Sequence, residues 1–182
     1  MGEIQTQRPV LLIAAVSSRY DAAIDDWTTA TASKPWGQVV LQTELFDFVQ
    51  TKFYEKSMGT DIKKRLFAFE QLIDPANLPD YKLLSNQWEQ QFTSEHDYPE
   101  ERPLNIDPGY LTEAKLVLAT TKDRDHRIYL RDGIFAEITL YFRKGVWEQS
   151  RWTYADYQLA EYHAFFDQCR EYLRQRYQEA GM

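Results

Sequence analysis

Clustered glycines are missing from this sequence. Gly2, Gly37, Gly59, Gly109, Gly133, Gly145 and Gly181 all stand apart from one another. Phosphate-cradling loops need neighbouring glycines so that backbone N–H groups can reach an anion. A P-loop, a dinucleotide-binding fingerprint and a nucleophile elbow are therefore excluded, and no motif names a cofactor. Cysteine is nearly absent: Cys169 is the only one, which rules out an internal disulfide and every multi-cysteine metal or redox motif. The three histidines, His96, His126 and His163, lack ligand spacing and there is no HExxH, so no zinc site is expected. The longest apolar run, at 10–16, is far too short to span a membrane and no cleavage pattern follows it. Basic charge is in deficit, with 21 Lys+Arg against 28 Asp+Glu and a net charge of −7. That balance argues against a nucleic-acid partner gripped by bulk charge. These absences together lead us to expect a cytoplasmic chain with neither a membrane nor a nucleic-acid partner.

Aromatic residues, by contrast, are plentiful. Ten Phe, twelve Tyr and five Trp in 182 residues supply enough apolar surface for one packed domain over 1–182. Residues 1–8 read as a flexible tail. The run at 10–16 reads as a buried strand. Tyr20, Ile24, Trp27 and Thr31 recur at helical spacing over 20–33, and a second strand is expected over 38–48. This β-α-β opening is compatible with a parallel crossover or with a ferredoxin-like split arrangement. Ile62, Leu66, Phe69 and Ile73 form one apparent helical stripe, and Tyr81, Leu84, Trp88 and Phe92 another. A long surface loop is expected over 93–104. Residues 105–110 read as a type II turn carrying Pro108 and Gly109 at its centre.

The second half is strand-rich. Segments 115–121, 127–130, 134–142 and 146–149 are joined by Asp132-Gly133 and Lys144-Gly145, a pattern that predicts an antiparallel meander of about four strands. A capping-box-like start at Thr153 opens a long final helix with a stripe of Tyr162, Phe166, Cys169, Leu173 and Tyr177. The expected fold is α+β, with a mixed or mostly antiparallel sheet and the C-terminal helix packed on it.

Five blocks, 51–59 (TKFYEKSMG), 105–110 (NIDPGY), 118–122 (LATTK), 126–130 (HRIYL) and 152–157 (WTYADY), occur in this order over nearly the whole chain. In these blocks the chain resembles the bacterial family called domain of unknown function 4416. The resemblance implies a single-domain bacterial protein with no assigned activity and no catalytic residue to carry over.

The chemistry-bearing residues concentrate between Lys122 and Thr139. A two-residue turn at Asp132-Gly133 pairs Arg131 with Ile134, Ile128 with Glu137, and His126 with Thr139. His126 and Glu137 then share one face of the sheet. Such a pair is either a candidate catalytic dyad, with the carboxylate orienting the imidazole, or a plain structural hydrogen bond. Arg127, Tyr129 and Arg131 fall on the opposite face, where a buried arginine needs a carboxylate or a bound anion. With Lys122 and Arg124 nearby, Arg127, Tyr129 and Asp107 complete a candidate site for a small phosphate- or carboxylate-bearing ligand. The alternative for Arg127 is an internal salt bridge to Asp107, Glu137 or Asp156. A helix start at Gly59-Thr60 offers a further anion cradle, or simply a threonine cap. A competing reading is a non-catalytic homodimer, formed through the aromatic surplus of the last helix or through a sheet edge.

Overall fold

A computed structural model describes residues 2, 3, 6–31 and 35–182. The expected tail at 1–8 and the expected helix end at 33 fall partly on residues outside that set. Val10–Ser18 (β1) is buried along its whole length, as its unbroken apolar run requires. Asp21–Thr31 (α1) follows and buries Ala23, Ile24 and Trp27. The single strand expected at 38–48 is broken into Val39–Gln42 (β2) and Phe46–Asp47 (β3).

Four expectations are corrected next. Glu55–Met58 (α2) ends at Gly59, whose φ is 79°, so Thr60 follows a helix end and no anion cradle opens there. The apparent helical stripe at Ile62, Leu66, Phe69 and Ile73 belongs to a strand, Lys63–Ile73 (β4). Leu66 and Ala68 join one core cluster while Phe67 and Phe69 join the other. Only a period of two buries all four, whereas a helix would have turned Phe67 away from its stripe. Leu78–Glu95 (α3) carries Tyr81, Leu84, Trp88 and Phe92 as expected, but it runs to Glu95, so the following loop starts later.

The fourth correction is the expected type II turn, which is a strand, Asn105–Leu111 (β5). Pro108 and Gly109 tolerate that position for separate reasons. Ile106 directs its backbone N–H and C=O to side chains of α3, and Pro108, two residues on, faces the same way with no N–H to satisfy. A Cβ on Gly109 would stand 2.4 Å from the Val117 carbonyl oxygen, so only glycine permits this approach of β5 to the next strand.

The meander follows as Lys115–Thr120 (β6), Ile128–Arg131 (β7), Ile134–Arg143 (β8) and Val146–Gln149 (β9). Asp132 and Gly133 have φ of 53° and 75°, the double positive of a type I′ turn. Among the described residues the sheet has nine strands in the order β2-β4-β1-β5-β6-β8-β7, with β3 paired to β4 and β9 to β8. Every pairing is antiparallel. Because β4 lies between β1 and β2, the opening β-α-β is the split form rather than a direct crossover.

The last helix, Ala160–Glu179 (α4), starts later than expected. Thr153 does not cap it; its hydroxyl donates to the Thr139 carbonyl at 2.6 Å. A 3₁₀ turn at Ala155–Gln158 intervenes. Tyr162, Phe165, Phe166, Cys169, Leu173 and Tyr177 pack with Leu11, Ile13, Leu66 and Leu116 on one face of the sheet. On the other face α1 and α3 pack with Leu12, Val16, Phe67 and Phe69. Full burial of each large side chain contributes about 1.5–3 kcal/mol, so the sheet is clamped between two helical layers. Tyr157, Phe165 and Tyr177 of the aromatic surplus are therefore buried within the chain itself. No helix among the described residues is long and apolar enough to cross a membrane.

Candidate functional site

The site arises where two neighbouring strands part. β6 pairs with β5 only over Gly109–Leu111, then continues beside β8. Residues 105–108 of β5 therefore have a strand partner on the β1 side alone. α3 supplies the missing partner with side chains. Glu89 Oε1 accepts from the Ile106 N–H at 2.7 Å, and Lys82 Nζ donates to the Ile106 carbonyl at 3.0 Å. Lys82, Ser85 and Glu89 lie on one helix face and are all buried. Burial pushes the Glu89 carboxyl up, against the pull of Lys82, Arg102 and the Ile106 amide.

The gap between the strands is a cavity of about 430 Å³. Its floor holds Asn105 and Asp107, and α3 adds Lys82 and Asn86. Segment 48–54 forms one wall, while Tyr154 to Tyr157 close it from the opposite face of the sheet. Six cationic side chains line it (Lys64, Lys82, Arg102, Lys122, Arg124, Arg127) against three carboxylates, Asp107, Glu137 and Asp156.

Four of the cations are matched. Lys64 meets Asp156 at 2.6 Å and Lys82 meets Asp107 at 3.1 Å. Arg102 holds Glu89 at 2.7 Å and Arg127 holds Glu137 at 2.8 Å. Lys122 and Arg124 have no carboxylate at ion-pair distance among the described residues; Lys122 Nζ rests 4.6 Å from the centre of the Phe53 ring. Burial, then the charges of Arg102, Arg127 and Arg124, lower the Lys122 pKa despite the opposing pull of Asp107. The opposite holds for Asp107. Burial works against its ionisation, but Lys82, the Asn105 amide at 2.7 Å and then Arg102 together bring its pKa down to about 2.

The hairpin register differs from the expected one. Arg131 does face Ile134, but a bulge between Tyr129 and Arg131 sets Ile128 against Ala136 instead of Glu137. Continuing that ladder by one residue places Arg127 opposite Glu137, so Arg127 is not on the other face of the sheet. All three of its guanidinium nitrogens are occupied: Nε by Glu137, one terminal nitrogen by the Lys122 carbonyl, the other by the Tyr154 hydroxyl at 2.7 Å. Arg127 is thus an internal salt bridge, and it organises the cavity wall.

His126 also reaches Glu137, Nε2 to Oε2 at 2.8 Å, from the turn before β7 rather than from the strand. It stacks on Trp152 at 5.0 Å, and its Nδ1 lies 3.2 Å from Asp125. His126 is outside the cavity lining, so it braces Glu137 from behind. Tyr129 is 58% exposed on edge strand β7, packed edge-on against Phe135, and takes no part in the cavity.

The structure therefore gathers Lys122, Arg124, Arg127, Asp107 and Glu137, and leaves His126 behind the wall and Tyr129 outside. Sequence reasoning missed Lys64, Lys82, Arg102 and Tyr54, and it offered Asp156 only as a partner for Arg127, whereas Asp156 holds Lys64. Lys64 was hidden by the helical reading of β4, since strand alternation alone aligns it with Leu66 and Ala68. Lys82, Ser85 and Glu89 have helical spacing but look like a solvated face. Burial raises the Tyr54 phenol and pushes Tyr154 up to about 12, and the Tyr154 hydroxyl is already engaged by Arg127.

A sequence model of the family described as Domain of unknown function (DUF4416) matches residues 8–172. No curated protein and no solved structure matches the chain.

Proposed function

The chain belongs to the DUF4416 family, and from the geometry of its cavity we propose that it binds a small phosphate- or carboxylate-bearing anion there. The observation that carries this reading is the unmatched pair Lys122 and Arg124, in a cavity whose other four cations each have a carboxylate. An anion placed against them supplies the opposite charge; both residues are exposed where they line the cavity, so the pairing is charge-assisted and weakens as salt rises. Binding is favoured over acid–base chemistry. Glu137 Oε2 already receives two donors, and Asp107 stays ionised far below neutral pH. Neither is placed to exchange a proton with a ligand.

Calorimetric titration with phosphate, pyrophosphate, acetate and succinate tests the proposal. At least one anion is expected to bind and to raise the melting temperature, and the K122Q/R124Q double variant should lose that binding while staying folded. Equal behaviour of the variant and the parent chain, or no binding by any of the four, overturns it.

A second reading rests on the sheet edge. β7 ends the strand order, and Ile128 is 70% exposed there beside Tyr129 and Leu130. Pairing of this edge with the same strand of a second copy would form a homodimer. Light scattering decides it: a monomer at high protein concentration removes this reading.

A further inference from the structure

A bare oxyanion fills only a fraction of about 430 Å³, a volume within the range of whole small-molecule sites. The rest of the wall is aromatic. Phe48, Phe53, Tyr54, Tyr154 and Tyr157 all line the cavity. Phe48 and Tyr54 are 5.9 Å apart, and Phe53 stands edge-on to Tyr54 at 5.1 Å. Phe53 is 69% exposed although it lines the cavity, and the ammonium of Lys122 lies against its ring. An unmatched cation and an uncovered ring thus stand together. In the same lining, Gln50 Oε1 is a buried acceptor with no donor among the described residues.

We propose that the ligand carries its anionic group on a flat aromatic or heteroaromatic ring. The ring stacks on Phe53 while the anion pairs with Lys122 and Arg124, and an N–H or O–H on the ring supplies the donor that Gln50 lacks. Each part of the ligand answers an unmet requirement of the cavity: charge for the two cations, apolar cover for Phe53, a proton for the Gln50 carbonyl. A ring over Phe53 also leaves the Lys122 ammonium against aromatic surface, so cation and stack reinforce one another. The inference rests on the anion-binding reading above and narrows it to a ligand class.

The test compares ligands of one size with and without a π-system. Phenyl phosphate, cyclohexyl phosphate and inorganic phosphate form one series; benzoate, cyclohexanecarboxylate and acetate form the other, and together the series separate phosphate from carboxylate. The aromatic member of the binding series is expected to bind about tenfold more tightly than its cyclohexyl counterpart. F53L should abolish that preference, leaving the aromatic and cyclohexyl members equal in affinity; Phe53 is 69% exposed, so the variant folds. Equal affinity of aromatic and cyclohexyl ligands, or a preference that survives F53L, overturns the ring inference while anion binding stands. Loss of binding by every member overturns both.

Discussion

Replacing Glu89 tests whether α3 substitutes for a missing strand. In the parent chain the Glu89 carboxylate holds the buried Ile106 N–H with one oxygen and Arg102 with the other, the latter through Nε at 3.1 Å and a terminal nitrogen at 2.7 Å. E89A leaves the Ile106 N–H without a partner at a cost of about 1–3 kcal/mol. Arg102 adds less, because its side chain is 34% exposed and rehydrates, about 1 kcal/mol at most. The sum is about 1–4 kcal/mol, or roughly 2–16 °C in melting temperature for a chain of this size. E89Q separates the two contributions. Its side-chain carbonyl still accepts from Ile106, and it sheds a charge that burial already disfavours, so its loss should stay near 1 kcal/mol. Urea denaturation gives both values, and hydrogen exchange at the Ile106 amide reports the bond directly. An E89A loss below 1 kcal/mol, or E89Q as damaging as E89A, refutes the argument that side chains of α3 complete this strand.

Two further outcomes follow from the same region. Asp107 is less readily protonated in the folded chain than at its ordinary value of 3.8, so its contribution is full above that value and disappears as pH falls from about 4 toward 2. It amounts to about 1–2 kcal/mol once the water-exposed third of the side chain is allowed for. Acid denaturation of D107N should lack this decline, and a D107N profile that parallels the parent chain would contradict it. G109A should cost about 1–3 kcal/mol, because its Cβ meets the backbone carbonyl of Val117; a neutral result by thermal denaturation would show that β5 and β6 do not approach as closely as described.

The parts of the fold legible in the sequence are those where one local signal decides. The apolar run of β1, the stripes of α3 and α4, and the two-residue turns at Asp132-Gly133 and Lys144-Gly145 all follow from periodicity or from positive φ. The misread parts are those where tertiary contacts override the local signal. β4 carries apolar residues for both faces of the sheet, so a helical stripe can be drawn through it by chance. Pro108 and Gly109 spell a turn unless one knows that Ile106 and Pro108 face a helix and that Gly109 meets a strand. Sequence shows neither, because the first contact joins segments some twenty residues apart and the second depends on the pairing of β5 with β6.

The candidate site shows the same division. Its charges were found through the crowding of Lys122, Arg124, Arg127 and Glu137, but the geometry that joins them was not. A single bulge at β7 moved Arg127 onto Glu137, and His126 reached the same oxygen from a turn that alternation does not govern. This has a consequence for mechanism. Had His126 and Glu137 faced an open cavity with Arg127 on the far side, a proton-transferring pair would have been the natural reading. With Arg127 and His126 both closed on one oxygen of Glu137, the hairpin instead spends its carboxylate on holding the wall. Of the six cations that line the cavity, Lys122 and Arg124 are then the two without a carboxylate at ion-pair distance among the described residues, and on this imbalance the anion-binding proposal stands or falls.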